Sequence, residues 1–290
     1  MRPFEYIKPT TVEEATAFLA QNAEDTLIMG GGTAAVVLLH LGVVRPRYVV
    51  DLSGVDSLRQ TTMNGSLHLG ALTSVRSIEL DAAVAADYDL LSEAASQVAN
   101  VRVRNAATIG GAVAYGEPQT DTPVALTALD AAIEIAGAGG TRQVPIAEFY
   151  RGPYETALEQ GELVVGVRVP KPSTNSAGCH LKFTIGSPEN KPVANASALI
   201  TLDPSSGKIT AARLVLGAVG GTPVVAASAT GLIGESPADS LFADIAAQAA
   251  NETDPIEDLR GPVWYKRRIA RVLVERALKC ALQKTPNNPE

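Results

Sequence analysis

The feature that most restricts how this chain can fold is Gly30-Gly31-Gly32-Thr33, a glycine run set between a strand-like and a helix-like segment. Residues 26–29, Thr-Leu-Ile-Met, read as a short apolar strand. Residues 34–41 read as a buried helix stopped by Gly42, and residues 48–52 as a second strand. A strand, a glycine loop, a helix and a strand form one crossover unit, so the two strands are expected to run parallel. Ahead of this unit Thr11 and Glu14 make a capping box, behind which Val12, Ala15, Phe18 and Leu19 share a helical face.

Glycines at such a position let the backbone approach a ligand, and the amides opening the next helix carry partial positive charge. A pyrophosphate suits that loop, with the Thr33 hydroxyl as an added donor. A glycine turn serving only tight packing fits the same residues equally well. The run lacks the spaced glycines of a Rossmann site and the Gly-Lys-Ser/Thr of a P-loop.

A second loop is more informative: Thr108-Ile109-Gly110-Gly111, then Tyr115-Gly116-Glu117-Pro118, then Thr120-Asp121. Gly110 and Gly111 permit close backbone approach, Thr108 and Thr120 bring hydroxyls, and the Asp121 carboxylate can accept from the hydroxyls of a polyol. Glu117 with Asp121 would be a general acid–base pair only beside an activating partner, and no such neighbour is visible. Glu117 is expected to be a solvated loop carboxylate. Arg102 and Arg104, alternating with Val101 and Val103, read as an exposed face of an extended segment rather than as phosphate ligands.

Composition closes off other functions. The 290 residues are 46% apolar and 19% charged, the profile of a globular chain with room for more than one core. A net charge of −7 argues against a nucleic-acid partner. The longest apolar stretch, near residues 34–44, is broken by His40 and Gly42 and is too short to span a bilayer. No secretory signal opens the chain, so a cytoplasmic location is expected. Cys179 and Cys280 then read as two unpaired thiols, and the chain cannot ligate an iron–sulfur cluster alone. The three histidines are scattered, and no metal site is expected. No nucleophile elbow or Ser/His/Asp order appears, and no catalytic residue is assigned.

Along the rest of the chain, strands are expected around Leu67–Ala71, Ile133–Ile135 and Leu163–Val169, with a helix near Leu90–Ala99. Residues 171–178, Lys-Pro-Ser-Thr-Asn-Ser-Ala-Gly, are the best linker candidate. Beyond it three antiparallel strands are expected (180–185, 196–202, 208–216), with a turn at residues 203–207. Helices should follow at 224–232, 240–250 and 263–282, with Trp264 and Tyr265 anchoring the last. Lys266, Arg267, Arg268 and Arg271 lie beside its apolar stripe and read as a solvated face. The resulting division is an N-terminal subdomain (1–55), a second subdomain (56–172) and a C-terminal α+β domain (173–290).

At the two loops the sequence resembles the FAD-binding medium subunit of the molybdenum hydroxylases, the xanthine dehydrogenase and carbon monoxide dehydrogenase family. The opening MRPFEYIKPTTVEEA, the segment LIMGGGTAAVVLLHLGVVRPRYVVDLSGV, the segment RNAATIGGAVAYGEPQTDTPVALTALDA and the closing RGPVWYKRRIARVLVERAL are each similar to that family, in chain order. The resemblance implies an α+β fold of the vanillyl-alcohol-oxidase type, with two α/β FAD-binding subdomains and a C-terminal domain of three antiparallel strands plus a helical bundle. It implies that Ile28, Met29, Gly30, Gly31, Gly32, Thr33, Ala34 and Ala35 wrap the pyrophosphate and part of the flavin. Thr108, Gly111, Tyr115, Thr120 and Asp121 would serve the ribityl and phosphate side, with Gly110 allowing close approach. Leu163 would touch the adenine side and Lys182 would return towards the flavin.

The resemblance further implies partners: a small subunit with two [2Fe-2S] clusters and a large molybdopterin subunit, in a dimer of heterotrimers, with an external electron acceptor. Ala34 and Ala112 depart from the polar residues common there, and the segment 186–192 departs from the family pattern after Lys182. A self-contained flavin oxidoreductase and a non-catalytic nucleotide-binding module are the alternatives. The former would need its own proton donor near the flavin, and none stands out.

Overall fold

The computed structural model describes residues 3–286. Its first sheet is parallel throughout: β1 (Glu5–Ile7) and β2 (Thr26–Met29) flank β3 (Tyr48–Asp51). Helix α1 (Val12–Asn22) is capped by Thr11, whose Oγ1 accepts from the Glu14 amide at 3.1 Å. The Glu14 carboxylate accepts from the Thr10 amide, one residue ahead of the capping position, so the box is displaced. Helix α2 (Ala35–Leu41) ends at Gly42 in the left-handed conformation, φ 69°. It is not the buried helix expected. Leu39 is its one buried residue, and Val36, Val37 and Leu41 are exposed, because two turns on a three-stranded sheet bury a single row.

The second sheet is antiparallel and carries the largest of the three buried clusters among the described residues. Its strands are β4 (Thr61–Met63), β5 (Ser66–Gly70), β6 (Ala132–Gly137) and β7 (Gly140–Pro145). A small hairpin, β8 (Tyr150–Gly152) and β9 (Glu155–Thr156), precedes the central strand β10 (Leu163–Pro170), and the order is β4-β5-β10-β6-β7. Between β5 and β6 lie α3 (Val75–Leu80), α4 (Ala82–Asp87), α5 (Asp89–Ser96), α6 (Val101–Ala106), α7 (Ile109–Tyr115) and α8 (Thr122–Ala128). One turn, α9 (Ile146–Phe149), follows β7. Leu67, Leu69, Ile109, Val113, Leu126, Ile133 and Val167 share one buried cluster, which fixes α7 and α8 on the sheet. The Val101–Ala106 segment is helical rather than extended, since Asn100 caps it by accepting from Arg102 N and Val103 N. Arg104 is turned inward and pairs with Glu79 at 2.7 Å.

The C-terminal part of the chain is a sheet with helices on one face. Strand β11 (Ser176–Phe183) starts inside the expected linker, which shrinks to residues 171–175. It pairs antiparallel with β12 (Ala194–Leu202), and β12 with β13 (Ile209–Gly217), the turn closing at Gly207 with φ 68°. A fourth strand, β14 (Val224–Val225), adds to the edge, so the sheet has four strands instead of three. Two β-branched residues entering from Pro223 favour the sheet edge over the expected helix, and residues 227–232 form a 3₁₀ turn. Helices α10 (Asp239–Asn251) and α11 (Val263–Lys284) cover the sheet, with Val274, Ala277 and Leu278 packed among Ala196, Ala198 and Leu214.

Three further expectations fail in this part of the chain. Trp264 is 65% exposed, its ring edge-on to Tyr265, and Lys266 is not on a solvated face: it is the buried side chain at the start of α11, donating to the Ile256 carbonyl and pairing with Asp258, both at 2.8 Å. Cys179 and Cys280 are not free thiols. Strand β11 lies against α11, bringing their Cα atoms to 6.0 Å, and a disulfide joins them. Among the described residues no helix is long and apolar enough to cross a membrane. No group of His, Cys, Asp and Glu among them could hold a metal ion.

Candidate cofactor-binding site

The two glycine loops, about 75 residues apart in sequence, meet face to face. A Cβ on Gly31 would stand 1.7 Å from the Ala106 carbonyl oxygen, and one on Gly30 would stand 2.9 Å from Thr108 Oγ1. Gly32 takes φ +73°, which a side chain would strain. Among the described residues, no protein acceptor takes the amides of Gly31, Gly32 or Thr33. Three successive backbone donors in a glycine turn form a concavity suited to phosphate oxygens. The residues present therefore fit the pyrophosphate of FAD.

The second loop is built differently. Ile109 N donates to the Thr73 carbonyl and Gly110 N to the Ala71 carbonyl, both at 2.9 Å, and Gly111 N donates to Thr108 Oγ1 at 3.2 Å. A Cβ on Gly110 would fall 2.5 Å from Ala71 Cβ. Gly110 is thus required by packing on the end of β5, and the close approach it permits is to protein. Gly111, Ala112 and Tyr115 keep partly open surface on α7. Leu163 lies in the core with Ala15, Leu19 and Val50, 2% exposed, so its side chain is not available to an adenine.

Glu117 is not the solvated carboxylate expected. It is buried, accepting from Tyr154 Oη at 2.8 Å and from Gln119 N at 3.3 Å, and Lys191 pairs with it. The Tyr154 ring stacks edge-on to Tyr115 at 5.2 Å, and burial followed by the nearby Glu117 charge pushes the Tyr115 phenol up. Residues 186–191 are thereby fastened to the second loop through Lys191. Thr120 Oγ1 donates to the Glu117 carbonyl at 3.0 Å.

Asp121 also departs from its expected role. It is 4% exposed and its carboxylate faces the C-terminal sheet. Oδ2 accepts from Lys182 Nζ at 3.0 Å; Oδ1 meets His180 Nε2 at 3.3 Å and Asn195 Nδ2 at 2.8 Å. Lys182 donates as well to the Gln97 carbonyl, and His180 Nδ1 lies 2.8 Å from Ser197 Oγ. Burial alone would raise the Asp121 carboxyl, but the His180 ring, then Lys182 and the Asn195 amide, outweigh it and hold it below the usual range. Asp121 and Lys182 were legible in the sequence. His180, Asn195, Ser197 and Gln97 were not, because only the pairing of β11 with β12 and the packing of the end of α5 against β11 bring them together.

Comparisons with known proteins identify the family. Residues 2–172 match the model of the FAD binding domain in molybdopterin dehydrogenase, and residues 190–281 that of the CO dehydrogenase flavoprotein C-terminal domain. The glyceraldehyde dehydrogenase medium chain of Sulfolobus acidocaldarius is 31% identical, covering 95% of this chain and 97% of its own. The carbon monoxide dehydrogenase medium chain of Afipia carboxidovorans is also 31% identical, over 98% of both chains. Among solved structures, the carbon monoxide dehydrogenase of Hydrogenophaga pseudoflava, in a form lacking the Mo-pyranopterin moiety of its cofactor, superposes with a TM-score of 0.94. That match has 31% identity and covers 98% of this chain and 100% of the other. With its two facing glycine loops and its full-length likeness to these chains, the protein belongs to the family of FAD-binding medium subunits of molybdenum hydroxylases, oxidoreductase complexes of the carbon monoxide and xanthine dehydrogenase type.

Proposed function

We propose that this subunit carries electrons between the [2Fe-2S] clusters of a small partner subunit and an external acceptor, in a complex whose large subunit holds molybdopterin. FAD, when bound, supplies a group able to take electrons singly and release them in pairs. The chain's own work is binding and orientation. Gly31, Gly32 and Thr33 present their amides to the pyrophosphate, with Ile28, Met29, Ala34 and Ala35 as walls. Thr108, Gly111, Tyr115 and Thr120 line the facing side, and Asp121 fixes Lys182 beside them. In this reading residues 1–55 and 56–172 enclose the nucleotide while residues 173–290 close it from behind.

The observation that carries the proposal is the backbone contact of Gly31 with Ala106, which joins two glycine loops into one cradle while three amides keep no acceptor among the described residues. No general acid or base is assigned, which suits a subunit whose substrate chemistry takes place elsewhere. A cytoplasmic dimer of heterotrimers is the assembly proposed. Purification under native conditions tests the whole reading. An iron–sulfur chain and a molybdenum chain should accompany this one, and the purified chain mixed with FAD should acquire flavin absorbance bands. Recovery as a lone active flavoenzyme would overturn the subunit assignment; absence of flavin bands after reconstitution would overturn the cofactor.

A further inference from the structure

Every donor to the buried Asp121 carboxylate comes from the C-terminal sheet: His180 and Lys182 from β11, Asn195 from β12. Asp121 itself ends the second cofactor loop. The contact therefore joins the segment that carries the second loop to the C-terminal sheet. It is also deep, since the His180 and Asp121 side chains are 0% and 5% exposed. Burying a carboxylate is costly unless donors surround it, so a contact made for packing alone would favour apolar residues here.

His180 is the member of this group with partners at both ring nitrogens. Ser197 Oγ lies 2.8 Å from Nδ1 and Asp121 Oδ1 3.3 Å from Nε2, and with an ionised Asp121 the proton belongs on Nε2. The backbone of the same residue is fixed too: its amide donates to Glu93 Oε2 at 3.1 Å and its carbonyl accepts from Gln97 Nε2 at 2.8 Å. On the other flank Asn195 Nδ2 donates to both Asp121 and the Thr120 carbonyl, at 2.8 Å each. Gly217 makes room for that amide, since a Cβ there would lie 2.2 Å from Asn195 Oδ1. The arrangement is a frame for one carboxylate, and that carboxylate holds the Lys182 ammonium at 3.0 Å.

We propose that His180 is a positioning residue for the cofactor: braced by Ser197, it fixes Asp121, and through Asp121 it holds Lys182 and the Thr120 turn in register with the glycine loops. The inference rests on the FAD reading above and adds that the C-terminal domain takes part in nucleotide binding through a buried polar relay. Asn195 is the second brace.

The test compares His180→Ala, His180→Gln and Ser197→Ala in the full chain, measuring FAD affinity by fluorescence titration and thermal melting of the FAD-free protein. Loss of a hydrogen bond to a buried charge should weaken FAD binding about tenfold or more in His180→Ala. Glutamine can still donate to Asp121, so His180→Gln should recover most of the affinity, and Ser197→Ala should fall between. An unchanged affinity in His180→Ala would overturn the proposal. So would equal weakening in the Ala and Gln variants in step with a lowered melting temperature, which would mark a packing role. A wild-type chain that takes up no FAD would overturn the cofactor reading and this inference together, whereas a binding wild type with an unaffected His180→Ala overturns the inference alone.

Discussion

The two glycine loops share a sequence signature and use it in opposite ways. At residues 30–33 the glycines leave backbone amides unclaimed, and the missing side chain of Gly31 lets a second segment come into contact. At residues 108–111 the amides are already bound by Thr73, Ala71 and Thr108, and Gly110 clears space for Ala71. One loop offers backbone to a ligand, and the other offers backbone to its own protein so that the first has something to lean on. A glycine pair thus marks close approach without saying what approaches.

Substitutions can separate these uses. The largest effect is expected for Gly31→Ala, whose Cβ would sit 1.7 Å from a backbone carbonyl that can retreat only if the loops part. A loss of about 3 kcal/mol or more is expected, with FAD retention lost as well. Calorimetry and flavin absorbance of the same sample check both. Gly110→Ala should cost about 2 kcal/mol through its clash with Ala71, a penalty that added FAD leaves unchanged if this loop serves packing. A penalty that disappears in excess FAD would break the contrast. Thr108→Val removes the cap on Gly111 N and should cost about 1 kcal/mol, read from urea unfolding.

The smallest expected effect concerns pH. The folded Asp121 carboxyl lies below its ordinary value, so its contribution to stability is full above that value and is lost as pH falls through the folded one. Melting temperature should therefore drop on acidification below about pH 4, and Asp121→Asn should flatten that part of the profile. An identical slope in the variant would show that other carboxylates, such as Glu79 beside Arg76 and Arg104, dominate.

Local pattern was enough to find β2, its glycine loop, β3, β10 and the helices α10 and α11: Gly30 bounds the short β2, Pro170 closes β10, Pro262 precedes α11, and α10 repeats its apolar residues at helical spacing. It failed where a distant partner decides. Glu117 looked solvated until Tyr154 and Lys191 closed over it. Arg104 looked exposed until Glu79 accepted it, and α2 looked buried because hydrophobicity alone cannot tell whether a covering surface exists. The candidate site divides in the same way. Gly30 to Thr33, Thr108, Asp121 and Lys182 stand out in the sequence as candidates, whereas His180 and Asn195 acquire meaning only when β11 and β12 are in register.

The link between Cys179 and Cys280, which stand 101 positions apart, closes the chain between them into a ring. Crosslinking a loop of that length removes about 4–5 kcal/mol worth of unfolded-state freedom in the chain-entropy model. It also alters what a cut can do. A protease that nicks the exposed turn at residues 203–207 leaves two pieces that still travel as one molecule, separating only when a reductant opens the bond. On a denaturing gel without reductant, a nicked subunit would pass for whole.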